Sequence, residues 1–149
     1  MKKTNKQHSH KVSKKDEAQL RLIAFRSAKV KNYIYSNFGS VNGLQFLKYP
    51  KEIRNSWVKS KFAENFGLQA RQWKAAFDEA FSNIKTNWAL THNEVKLFLG
   101  RNDFTEDETY YVNYLFKAYP ILHKVLTYQE YEINPKFDHV DQIKMNRLI

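Results

Sequence analysis

The chain has 149 residues, 42% hydrophobic and 15% aromatic, which suits a single domain with a sizeable core and excludes a disordered chain. It has no cysteine, which excludes a disulfide scaffold, thiolate metal sites and a cysteine nucleophile. The net charge of +10 is uneven, with 19 Lys/Arg against 7 Asp/Glu in residues 1–100 and 6 against 8 in residues 101–149.

Residues 1–12 are polar and basic without periodicity and predict a disordered arm, with no apolar region of a signal peptide behind it. No apolar run approaches membrane-spanning length, so a soluble, cytoplasmic protein is expected. Ser13 and Asp16 form a capping signal that starts a helix near Lys14. Leu20, Ile23, Ala24, Ser27, Val30, Ile34 and Phe38 give that helix a buried stripe, and Gly39 ends it. The four glycines and three prolines all fall at such boundaries, which argues for an all-helical domain. Leu44–Tyr49 reads as a short apolar helical turn. Pro50 suits the first position of the next helix, where its missing N–H would be unpaired anyway. A short helix, KSKFAENF, ends at Gly67.

The stretch Gln69–Leu99 follows, without Gly or Pro. Trp73, Phe77, Ala80, Phe81, Ile84, Trp88, Val95 and Leu99 lie near one stripe, which predicts a helix of roughly 45 Å closed by Gly100. Thr105 and Glu108 form a capping box with acids across the first turn, where the helix dipole favours them. The helix they open stops before Pro120, and Ile121–Leu126 adds another turn or two. Residues 127–133, TYQEYEI, alternate weakly, as a short strand or extended segment would. The final HVDQIKMNRLI reads as the start of one more helix. The expected architecture is all-α: a compact bundle of five to seven helices around one long central helix. A basic arm at 1–12 precedes a helical domain at 13–127, with a loosely attached segment at 128–149.

No catalytic signature is present. The five histidines lack metal-ligand spacing, and no H-E-x-x-H, P-loop, G-x-S-x-G or dinucleotide fingerprint occurs. Asp138, His139 and Asp141 fit a solvated turn better than a metal site. The expectation is a protein that is not an enzyme, with no cofactor and no metal.

Binding signals remain. Excess positive charge points to a polyanion, nucleic acid first; a lysine-rich composition shared by every product of an AT-rich genome is the plainer alternative. Lys59–Glu79 has a helix-turn-helix pattern, with small Ala63, Gly67 at the turn, and Leu68, Trp73 and Ala76 at buried positions. It would place Gln69, Arg71, Gln72 and Lys74 at the start of a recognition helix. Two helices joined at any glycine give the same pattern, and the second helix is longer than recognition helices usually are. Tyr49, Lys51, Arg54, Trp57, Lys59 and Lys61 interleave bases with aromatics, as phosphate contact with base stacking would require. Trp57 sits at helical spacing with Ile53 and reads as core.

The order of phrases KVKNYIYSNFGSVNGLQ, PKEIRNSWVKSKFAENFGLQARQWKAAFDEAFSNIKTNW and LGRNDFTEDETYYVNYLFK resembles the N-terminal helical region of transposon-encoded TnpB/OrfB-like proteins. These are relatives of the type V CRISPR effector nucleases. The resemblance spans about residues 28–149. Its most specific parts are the Gly67-Leu68 turn with Trp73, the Asn83-Ile84-Lys85 and Trp88 run, and Arg101-Asn102 before the Thr105 cap. It implies part of a recognition lobe that grips a guide RNA–target DNA heteroduplex through its backbone. Cleavage in that family belongs to a downstream RuvC-like domain, so the resemblance assigns no catalytic residue here. MKKTNKQHSH stands where the family has the strand that opens its wedge domain. The expected module is therefore a detached or reduced recognition lobe.

The leading expectation is non-catalytic binding of RNA, DNA or an RNA–DNA hybrid, mainly through the backbone and without a membrane. Arg26, Lys29, Lys51, Arg54, Lys59, Lys61, Arg71 and Lys74 are the expected phosphate contacts, and Gln72 the residue placed to reach a base edge. The rivals are a protein-binding regulator or inhibitor of a nuclease, a CRISPR-type effector or another DNA-binding protein, and a helix-turn-helix regulator.

Overall fold

A computed structural model of the chain describes residues 13–127, 129 and 134–149. The expected arm at 1–12 and most of the expected extended segment at 127–133 lie outside the described residues. Helix α1 covers Lys14–Phe38 and begins as predicted, the Ser13 hydroxyl accepting the Asp16 amide at 3.2 Å. Only its second half is core. Val30 and Ile34 are fully buried, but Leu20, the first member of the predicted stripe, is 56% exposed. The helical spacing holds, but the described residues do not cover the start of α1. Beyond Gly39 a 3₁₀ turn, Val41–Phe46, buries Leu44 against the core. Gly43 has no room for a side chain there, since a Cβ would collide with the Phe38 carbonyl.

Helix α2, Pro50–Lys59, starts with proline in its first turn and buries one face through Trp57. Trp57 is core, as its spacing predicted. Its ring meets those of Tyr33, Phe62, Phe66, Trp73 and Phe77 at centroid distances of 5.0–5.9 Å. The segment before Gly67 differs from expectation. Lys61 turns the chain with φ +60, and Phe62–Phe66 is a five-residue 3₁₀ helix in place of an α-helix. Phe62 and Phe66 both pack their rings on Trp57, at centroid distances of 5.0 and 5.7 Å, and on each other at 5.7 Å.

Helix α3, Ala70–Arg101, is the predicted spine: 32 residues, roughly 48 Å long. Trp73, Phe77, Ala80, Phe81, Ile84 and Leu99 are buried, and Trp88 and Val95 are packed against them. The helix passes through Gly100 and ends at Asn102, whose amide Nδ2 donates to the Phe98 carbonyl at 2.8 Å, so Gly100 is not its stop. Its principal partner is α1. Helix α4, Glu106–Lys117, opens with the predicted capping box: the Glu108 amide donates to Thr105 Oγ1 at 3.1 Å and the Thr105 amide to Glu108 Oε1 at 3.0 Å. Those bonds hold the Glu108 carboxyl below its ordinary pKa, the Thr105 backbone donor first among the causes. Helix α5, Tyr119–Leu126, carries Pro120 in its first turn and closes the bundle over the Val41–Phe46 turn.

Helix α6, Gln142–Leu148, is the further helix expected at the end, capped by the Asp141 side chain on the Lys144 amide at 3.1 Å. Residues 134–149 are not loosely attached. Phe137, Val140 and Met145 are buried in the common core, and Tyr111 donates to Asn146 Oδ1 at 2.8 Å. The buried Gln142 amide is satisfied locally, donating to the Asn134 and Phe137 carbonyls at 3.0 Å each. The sum is an all-helical compact bundle whose described residues form six α-helices and three 3₁₀ segments.

Candidate nucleic-acid interface

The candidate contact residues singled out in the sequence divide into two groups by what their heads touch. Three are occupied inside the fold. Arg26 reaches from α1 across to the corner before α3, and its Nη1 donates to the Gly67 carbonyl at 2.8 Å. Gly67 has φ +67, as the turn required, and its open side faces the Arg26 guanidinium, 3.2 Å from where a Cβ would stand. Arg54 lies on α2 and bonds both carboxylate oxygens of Asp78 on α3 at 3.2 Å. Gln72 is the third: its Oε1 accepts the Gln69 amide at 3.1 Å and caps α3, so it does not point out to a base edge. These polar groups tie α1, α2 and α3 together where the sequence alone gave them to a ligand.

The second group projects. Lys29, Lys51, Lys59, Lys61 and Arg71 are exposed and pair with no carboxylate among the described residues. Lys29 lies over the Phe25 ring at 4.7 Å, and half-buried Lys74 lies over Trp73 at 5.7 Å. Lys61 and Arg71 flank the Gly67 corner in sequence, while Lys51 and Lys59 stand at opposite ends of α2. Lys31, outside the predicted set, is held by Glu79 at 2.8 Å.

Sequence reasoning undervalued one aromatic. With Trp57 in the core, Tyr49 is the member of the basic-aromatic run left outside, 58% exposed. Lys48 covers its ring at 5.4 Å. Its position immediately before Pro50, outside the helical stripe of α2, was the available signal.

Among the described residues no group of three His, Asp or Glu is close enough to hold a metal ion. His92 stacks on Phe116 at 4.7 Å and its Nε2 lies 2.8 Å from Asn113 Oδ1, a packing role. His139 sits between Asp138 at 3.3 Å and Asp107 at 3.4 Å. The Asp138 bond comes first in raising its pKa, with Asp107 adding to it and partial desolvation opposing. That arrangement fastens the 134–149 segment to α4 and needs no metal to explain it.

The helix-turn-helix geometry is not formed as two α-helices, since the element before Gly67 is one short 3₁₀ stretch. No helix of the described residues is long and apolar enough to cross a membrane. No family model, curated protein or solved structure matches the chain.

Proposed function

We propose that this domain is a non-catalytic nucleic-acid-binding module that contacts RNA, DNA or an RNA–DNA hybrid mainly through phosphates. The observation that carries this reading is the set of exposed cations without carboxylate partners among the described residues: Lys29, Lys51, Lys59, Lys61 and Arg71. An ammonium held in water beside no anion loses little on meeting a phosphate, and each contact releases condensed counterions. Arg26, Arg54 and Gln72 are then scaffold for the surface, and Lys74 joins it only by leaving the Trp73 face. In the resemblance drawn from the sequence, this corresponds to a recognition lobe detached from a transposon-encoded RNA-guided nuclease, working in the cytoplasm.

The test is binding of single strands, duplexes and RNA–DNA hybrids by the wild-type chain and by a Lys51→Gln/Lys59→Gln/Lys61→Gln triple variant. Uniform weakening across sequences is expected. Equal affinity of the variant and wild type would contradict the assignment.

A protein-binding role is the second reading, and one observation favours it. The first half of α1 leaves Leu20, Leu22 and Phe25 exposed at 44–58%. A pull-down repeated after nuclease treatment separates the two: a partner that survives digestion supports a protein interface, and a partner lost on digestion supports nucleic acid.

A further inference from the structure

We infer that Tyr49 is a stacking platform for an unpaired base, so that the module prefers single-stranded nucleic acid at the start of α2. The inference rests on the nucleic-acid reading above and deepens it by naming the strand form. Tyr49 is 58% exposed among the described residues. A base stacks on such a ring whatever its identity, because every base has a π-face, and a base inside a duplex cannot offer one.

The surroundings match a strand that continues past the ring. Lys48 lies against Tyr49 at 5.4 Å, and exposed Lys51 follows as the second residue of α2. Pro50, the next residue, forms a wall of an open groove of about 580 Å³ that runs along α3 past Ser82, Lys85 and Thr86 to Tyr119. Lys85 is exposed there and pairs with no carboxylate among the described residues, while the groove's Asp78 is already held by Arg54. The groove thus offers a cation and hydroxyls to a sugar-phosphate backbone, and its single carboxylate is matched within the protein.

Tyr110 provides an internal comparison. It is equally exposed at 58% and also carries a lysine over its ring, Lys136 at 5.8 Å. Its helix, however, opens with Glu106, Asp107 and Glu108, which repel a phosphate chain. Exposure and a neighbouring cation are common to both rings; the sign of the surrounding charge separates them.

The experiment measures binding of a fluorescein-labelled oligouridine strand, and of the same strand paired with oligoadenosine, to wild type and to Tyr49→Ala, Tyr49→Phe and Tyr110→Ala. Tyr49→Ala is expected to lose about five- to a hundredfold in affinity for the single strand and less than about twofold for the duplex. Tyr49→Phe is expected to keep wild-type affinity, since stacking needs the ring and not the hydroxyl, and Tyr110→Ala to change nothing. A 2-aminopurine in the strand should be quenched by wild type and not by Tyr49→Ala. Wild-type binding of the single strand that Tyr49→Ala leaves within about twofold, or loses equally on the duplex, overturns this inference and spares the nucleic-acid reading. Absence of binding to the strand, the duplex and a hybrid at low salt overturns both.

Discussion

At Gly67 the backbone occupies the left-handed region, and an added Cβ would stand 3.2 Å from the Arg26 guanidinium. Gly67→Ala should therefore destabilise the fold by about 1–2 kcal/mol from the backbone alone, read as a lower urea midpoint with an unchanged slope. Arg26→Met keeps the stem and removes the bond to the Gly67 carbonyl, and a loss of about 1 kcal/mol with unchanged nucleic-acid affinity is expected. Unchanged stability with lost affinity would return Arg26 to the ligand. His139 carries the clearest pH dependence. Its folded-state pKa is raised, so its contacts to Asp138 and Asp107 favour folding in full below the unfolded value of about 6.5 and lose that contribution as pH rises through the folded pKa. Wild type should lose more stability than His139→Gln between about pH 6 and pH 8. Parallel curves for the two would remove His139 as the cause.

Among the elements, α3 shows what one-dimensional information can reach. Its length, its stripe from Trp73 to Leu99 and the Thr105 box beyond it are all local patterns, and each has its place in the fold. What was illegible depends on partners distant in sequence. Leu20 has the spacing of Ile34, but no described residue buries it. Arg54 looks like a phosphate ligand until Asp78, 24 residues on, supplies its anion. The 134–149 segment looked peripheral because Phe137 and Met145 find their core only after α4 is in place. The contrast within α1 is testable. Ile34→Ala should cost about 2–5 kcal/mol and Leu20→Ala less than about 0.5, by chemical denaturation. Similar costs would mean that the first half of α1 is covered in solution. Thr105→Ala, which removes one arm of the α4 box, should cost about 1 kcal/mol.

For the whole molecule, the charges of the first hundred residues and those of the last third are engaged differently among the described residues. Four acids of the last third are engaged in local structure: Glu108 and Asp141 cap helices, and Asp107 and Asp138 hold His139. In the first hundred residues, the ion pairs Lys31–Glu79 and Arg54–Asp78 bind helix to helix, and the cations left over face water. A surface built this way should act by counterion release, with affinity falling as salt rises in proportion to the phosphates engaged. The most direct measurement is the affinity for a single-stranded RNA, followed by anisotropy from about 50 to 200 mM salt, for wild type and the Lys51/Lys59/Lys61 triple variant. The expected result is a linear log–log plot that becomes shallower in the variant by about 0.7 for each lost phosphate contact. A slope near zero, or one that the three substitutions leave unchanged, would contradict a phosphate-binding role for this surface.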